Sequence, residues 1–97
     1  MEIGGHGLGE GVLAAIGDTP IVQLRKIVEP SGARVLLKLE SANPTGSMKD
    51  RMAVEVIKCA AADGRLAPND TVVEYTAGTT GVSLAFVCAA LGYRLHV

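Results

Sequence analysis

The chain has 97 residues, with nine lysines and arginines against ten aspartates and glutamates, and a net charge of −1. That size allows one small domain, and the charge balance leaves no electrostatic footprint for nucleic acid or an anionic membrane surface. With 48% hydrophobic and 20% charged residues it has the composition of a folded chain, and Tyr75, Tyr93 and Phe86 as its only aromatic residues give no platform for stacking bases.

The first eleven residues carry Gly4, Gly5, Gly7, Gly9 and Gly11. So many glycines make regular structure costly, and 1–15 reads as a flexible lead-in containing a short helical turn at 12–16. The Gly5-x-Gly7-x-Gly9 spacing is a faint phosphate-loop pattern, but no strand precedes it and no strong helix follows. His6 there reads as a solvated histidine. Asp18-Thr19-Pro20 is a turn, 21–24 a short strand, and Glu29-Pro30-Ser31-Gly32 a loop. Residues 34–40 read as a second strand with Val35, Leu37 and Leu39 on one face. Asn43-Pro44-Thr45-Gly46 is a further turn. Ser47 is placed as an N-cap, with a helix over 48–63 stopped by Gly64. Pro68-Asn69-Asp70 turns the chain into a β-branched strand at 71–75. A small polar loop, Thr76-Ala77-Gly78-Thr79-Thr80-Gly81, leads into a second helix over 80–91 stopped by Gly92, and 93–97 starts another strand.

Strand–helix–strand–helix–strand order implies α/β architecture with parallel strands joined by helical crossovers. Such sheets are covered on both faces. The second helix has no charged residue between Gly81 and Leu91, and a helix apolar all round expects burial on all sides. The chain is therefore expected to be a fragment of a larger protein or to need a covering partner. Cys59 and Cys88 lie in apolar helical runs and read as reduced, buried thiols rather than a disulfide framework. No run reaches the roughly 18 apolar residues of a membrane span, and no secretory signal pattern is visible; a cytoplasmic location is the default expectation. No metal-ligand pattern is present.

Two features carry chemistry. At about 100° per residue, Arg51, Glu55 and Lys58 share one stripe of the first helix. Lys49 falls opposite, with Ala53, Val56 and Ala60, on the face expected to be buried. Burial disfavours the ammonium form and a helix N-terminus repels a cation, so both make the amine a better nucleophile; the other reading is a lysine that snorkels to water. Asp50 and Arg51 form either a local ion pair or part of a solvated face. The 76–81 loop joins the C-terminal end of a strand to a helix N-terminus, where open α/β sheets bind ligands. Its amides and the hydroxyls of Thr76, Thr79 and Thr80 make an anion cradle, or else Thr79 or Thr80 is a plain N-cap. Parallel strands would bring Lys49 and this loop to the same sheet edge. That juxtaposition suggests carbonyl chemistry on an acid-bearing substrate, with a Schiff base at Lys49 and a carboxylate in the loop.

At these residues the sequence resembles a known family. Asn43-Pro44-Thr45-Gly46-Ser47-Met48-Lys49-Asp50-Arg51 resembles the cofactor-lysine motif of cysteine synthase and cystathionine β-synthase, the fold type II, tryptophan-synthase-β-like enzymes. Residues 16–24, Ile-Gly-Asp-Thr-Pro-Ile-Val-Gln-Leu, are similar to the family's N-terminal stretch, and Glu74-Tyr75 with the 76–81 loop is similar to its substrate-carboxylate loop. The resemblance implies pyridoxal phosphate as cofactor, carried by Lys49, whose amine then removes the substrate's α-proton. Thr76, Ala77, Gly78 and Thr80 match the positions that hold the amino-acid carboxylate. Thr79 matches an asparagine that bonds the cofactor's phenolic oxygen, and Ala77 replaces a serine that helps bind substrate; both departures bear on substrate identity.

The implied reaction is β-replacement or β-elimination on an O-activated serine-type amino acid. Its default is cysteine biosynthesis from O-acetylserine and sulfide, transferase or lyase chemistry by a homodimeric parent. Family members are about three times longer, with the phosphate loop later in the chain. The implied fold is a partial three-layer one, with a mostly parallel sheet, an N-terminal antiparallel hairpin, and 16–97 as the truncated N-terminal part of the enzyme domain. The isolated chain is expected to be inactive; the alternative is a non-catalytic module associating through its apolar helix.

Overall fold

The computed structural model describes residues 2–3, 6–7 and 11–97. Glu2–Ile3 (β1) and His6–Gly7 (β2) pair antiparallel, Glu2 opposite Gly7 and Ile3 opposite His6. The rest of the glycine-rich lead-in and the Gly5 and Gly9 positions of its glycine pattern lie outside the described residues, as does the side chain of His6. Val12–Ala15 forms one 3-10 turn, and Leu13 and Ile16 pack on the core.

Ile21–Gln23 (β3) and Leu36–Lys38 (β4) form an antiparallel hairpin, with Val22 opposite Leu37. The ladder extends at both ends, because Leu24 N–H donates to Val35 O and Leu39 N–H to Pro20 O. Ile21, Val22, Leu36 and Leu37 stay exposed, so neither face of the hairpin is covered within the described residues.

Lys49–Ala62 (α1) and Thr79–Leu91 (α2) are the two helices. Each ends where a glycine takes the left-handed conformation, Gly64 at φ 84° and Gly92 at φ 85°. At the head of α1 the cap position is Met48, which makes no side-chain cap bond. Ser47 acts one residue earlier than a formal N-cap, its Oγ accepting from the Lys49 N–H at 3.1 Å. The turn between α1 and the next strand closes as its sequence demands. Asn69 takes φ 68° and the Asp70 carboxylate accepts from the Ala67 N–H.

Thr71–Val73 (β5) and Arg94–His96 (β6) pair in parallel with Val72 opposite Leu95, and α2 is their crossover. The core is the seam between the helices: Ala53 and Ile57 from α1 meet Leu84, Val87 and Cys88 from α2, with Val72 and Leu95 closing it from the strands. The outer face of the strand pair is open, since Val73 and Tyr75 are exposed. Two layers of the three-layer α/β arrangement are thus present among the described residues.

Three expectations need correction. The 34–40 strand pairs with 21–24 as the antiparallel hairpin the resemblance implies, but among the described residues that hairpin and the β5–β6 pair are separate sheets. Lys49 and the 76–81 loop are therefore not joined by one sheet edge. Cys88 is buried, but Cys59 is exposed and donates to a Glu55 carboxylate oxygen at 3.2 Å; it lies two residues past Ile57, away from the α1–α2 seam. The buried stripe of α1 runs Asp50, Ala53, Ile57, so Val56, placed on the buried face by its wheel position, is 51% exposed.

The apolar α2 is buried along Ser83, Leu84, Val87 and Cys88 only. Val82, Ala85 and Ala89 on its far side are exposed, which is the uncovered face that its lack of charge foretold.

Candidate functional site

The site is built around the turn 43–46 and the heads of the two helices. Thr45 and Asp50 lock the turn onto α1: the Thr45 N–H donates to Asp50 Oδ2 at 2.9 Å and the Thr45 hydroxyl to Oδ1 at 2.5 Å. The Ser83 hydroxyl of α2 donates to the same Oδ1 at 2.6 Å. Asp50 is fully buried. Burial works to raise its pKa, but the hydrogen bonds from Ser83, the Thr45 hydroxyl and the Thr45 N–H outweigh it and hold the carboxyl below the usual aspartate value.

This joint does what a common sheet edge was expected to do. Asp50 is the second residue of α1 and Ser83 the fifth of α2, so the two helix N-termini lie at one end of the fold. Lys49 opens α1, half-buried; Thr79 and Thr80 open α2, four and three residues before Ser83. The amine-bearing turn and the hydroxyl-rich loop are brought together by a carboxylate that sequence spacing left undecided between an ion pair and a solvated face. Arg51, beside it, turns the other way and pairs with Glu40.

The loop itself is open to an incoming group. Ala77, Gly78 and Thr79 are exposed, and Thr76 and Thr80 half-buried. The cap position of α2 is Gly78, and neither Thr79 nor Thr80 caps the helix. The Thr76 hydroxyl accepts from the Gly78 N–H at 3.3 Å, and the Gly81 N–H donates to Gly78 O at 3.1 Å. A Cβ at Gly81 would stand 2.9 Å from Thr76 Cγ2, so a glycine there lets the loop fold back on its own helix. The first amides of α2 have no side-chain acceptor within the loop beyond Thr76, which leaves donors for an anion. An amine at the head of α1 and hydroxyls and amides at the head of α2 are the donor types that a carbonyl cofactor and an amino-acid carboxylate require, so the residues present fit pyridoxal phosphate and an amino acid.

A second polar cluster, missed in the sequence, anchors the turn from below. The buried Asn43 accepts from the Gly17 N–H at 2.8 Å through Oδ1 and donates from Nδ2 to the Glu40 carbonyl and carboxylate at 2.9 and 3.1 Å. Arg51 Nε donates to Glu40 at 2.5 Å, and the Thr19 hydroxyl donates to the same carboxylate; Lys38 Nζ donates to Thr19 O. The 16–24 stretch and the 43–51 motif, far apart in sequence, are thus one hydrogen-bonded unit. The signal available in sequence was the run of polar residues at turns with no stated partner.

The hydrogen bond from Arg51, then that from Thr19, lower the Glu40 carboxyl from 4.5 to about 2. A depressed carboxylate contributes stability that is fully present above its ordinary value and is lost as pH falls through its folded one. Thermal unfolding followed by circular dichroism is expected to show stability falling between pH 4.5 and about 2. Glu40→Gln should lower stability at neutral pH and flatten that acid limb; an unchanged limb would remove Glu40 as its source.

The sequence pattern of the family described as "Pyridoxal-phosphate dependent enzyme" matches residues 12–97. A cysteine synthase of Staphylococcus aureus (strain Mu50) is 49% identical over 85 residues, covering 88% of this chain and 27% of that protein. Cysteine synthase 1 of Neurospora crassa is 48% identical over 92 residues, covering 95% of this chain and 24% of its own. Among solved structures, a cysteine synthase from Entamoeba histolytica superposes with a TM-score of 0.84 at 39% identity, over 91% of this chain and 27% of that one. An O-ureido-L-serine synthase superposes with a TM-score of 0.83 at 49% identity, over 91% of this chain and 28% of that one. The chain spans about a quarter of the length of the proteins it matches.

Proposed function

The chain belongs to the pyridoxal-phosphate-dependent enzyme family, and from that premise we propose that it works as the amino-terminal part of a cysteine-synthase-like enzyme. The reaction is replacement or elimination of the β-substituent of an O-activated serine-type amino acid, with O-acetylserine and sulfide the default pair. The bound cofactor supplies the electron sink that makes the α-proton acidic. The rest falls to this chain's residues. The Lys49 amine carries the cofactor and afterwards takes the α-proton at the substrate's Cα. The amides and hydroxyls of Thr76, Ala77, Gly78 and Thr80 hold the substrate carboxylate. Thr79, at the first position of α2, would bond the cofactor's phenolic oxygen through its hydroxyl.

The observation that carries this reading is the Asp50–Ser83 bond of 2.6 Å, because it draws the head of the lysine's helix to the head of the loop's helix. The departures at Ala77 and Thr79 bear on which β-substituent is accepted: a methyl and a short hydroxyl leave more room and fewer amide donors than the serine and asparagine of the family pattern. The longer enzyme is proposed to be a homodimer whose remaining chain covers the exposed apolar side of α2 and the open hairpin. A non-catalytic module associating through α2 is the second reading, and the exposure of Val82, at 56%, is what favours it.

The test is to incubate the chain with pyridoxal phosphate, reduce with borohydride and map the modified peptide. The chain holds four lysines, at positions 26, 38, 49 and 58, and the label is expected on Lys49 alone. Equal labelling of all four, or none on Lys49, overturns the assignment. Absence of label together with concentration-dependent association that Val82→Asp disrupts would establish the second reading in its place.

A further inference from the structure

Asp50 is the group whose burial most needs a reason. Its side chain is 0% exposed, and among the described residues its partners are two hydroxyls and one amide, with no basic side chain. A buried carboxylate without a cation is costly, and an apolar side chain of similar volume would hold two helices together as well or better. Part of the compensation is visible: the carboxylate stands in the first turn of α1 and against the opening turns of α2, beside the positive ends of two helix dipoles.

The apolar seam of Ala53, Ile57, Leu84, Val87 and Cys88 already holds the helices against each other. Such contacts are non-directional and leave the axial register of the helices loosely set. Hydrogen bonds to one carboxylate oxygen are directional and fix it. The segments they fix are Thr45 in the turn before Lys49, Asp50 next to Lys49, and Ser83 one helical turn beyond Thr79 and Thr80 on the same face of α2. We propose that Asp50 is a positioning residue, whose bonds to Thr45 and Ser83 set where the Lys49 amine stands relative to the 76–80 loop. The proposal rests on the reading of Lys49 and that loop given above.

Ser83→Ala removes the Asp50 bond to α2, with the longer Thr45–Ser83 hydroxyl contact of 3.5 Å, and leaves both Thr45 bonds to Asp50 in place. Amide hydrogen exchange is expected to rise about tenfold in residues 76–80 and also in 45–49, across the joint. The rate of borohydride-trapped pyridoxal phosphate at Lys49 is expected to fall by a similar factor, with helical circular dichroism retained. Ser83→Cys, close in volume and still a weak donor, should restore part of both, and it serves where the alanine variant does not fold. A change confined to the residues flanking position 83, with trapping at Lys49 unaltered, would overturn the positioning role and leave Asp50 a bolt between helices. No trapping in the unsubstituted chain would instead overturn the assignment of Lys49 itself, and with it the role given to Asp50.

Discussion

Lys49→Ala is expected to abolish covalent attachment of pyridoxal phosphate and, in the enzyme carrying this sequence, to lower turnover by at least about 10²–10⁴-fold, the range for losing a positioned base. None of the other three lysines can substitute. Lys38 Nζ is engaged with the Thr19 carbonyl at the foot of the site. Lys58 follows Lys49 on the same helix by nine residues, about 13 Å along the axis at 1.5 Å per residue, and it is exposed. Lys26 is exposed in the connection beyond β3. Lys49→Arg separates charge from chemistry, because a guanidinium keeps the positive charge and does not act as an amine nucleophile. Both variants should lose the cofactor's absorbance at the lysine, while Lys58→Ala keeps it. Full absorbance in Lys49→Arg would show that a cation at this position suffices and that no covalent link forms there.

Lys49 was conspicuous in the sequence because it broke the helix pattern. Asp50 was not, because an aspartate in a first helical turn is ordinary there and its partners lie 5 and 33 residues away. A helical wheel measures angle along one element and carries no account of which side a neighbour occupies. That is why the wheel placed Val56 inward and left Asp50 unassigned, while the structure has Asp50 fully buried and Val56 half in solvent. Local chemistry fared better. The glycines at 64 and 92 end their helices in the left-handed conformation, and the Asn69-Asp70 turn forms from its own side chain; such signals act within four residues. The β-branched run at 71–75 showed where a strand lies and nothing of its partner, so the expectation of one sheet edge shared by Lys49 and the 76–81 loop failed for want of pairing information that only the fold supplies.

The same limit separates the two polar clusters of the site. Thr76, Thr79 and Thr80 lie within five residues at a strand-to-helix junction, so their placement was legible from position alone. Thr19, Glu40, Asn43 and Arg51 are dispersed over 33 residues, yet they meet around one carboxylate. That cluster, together with Ile16 on the core, holds the 16–24 stretch beside the lysine's turn. Its most informative member in sequence was Asn43, a turn residue whose side chain serves Gly17 and Glu40 at once. The resemblance to a family supplied an ordered set of motifs; the hydrogen bonds supply the physical reason that those motifs occur together.

Ile57→Ala is expected to destabilise the chain by about 2–5 kcal/mol, the range for truncating a buried isoleucine. Ile57 is 2% exposed and stands where α1 meets Leu84, Val87 and Cys88 of α2. The described residues hold one buried apolar cluster of five residues, so no second core takes up the loss, and domains of this size have only about 5–15 kcal/mol in total. Ile57→Val, which removes one methylene, should cost about 0.5–1.5 kcal/mol. The neighbouring Val56→Ala, on the exposed side of the same helix, should stay within about 0.5 kcal/mol. Urea unfolding of the three variants measures the contrast. The consequence reaches the site, because Asp50, Ala53 and Ile57 form one stripe. A seam weakened at Ile57 lowers the fraction of chain in which α1 and α2 are packed, while the Asp50–Ser83 bond two turns above keeps the register of what stays folded, so trapping of pyridoxal phosphate at Lys49 should slow only as far as the folded fraction falls. Equal costs at Ile57 and Val56 would mean that the helix is covered on the side its wheel first suggested.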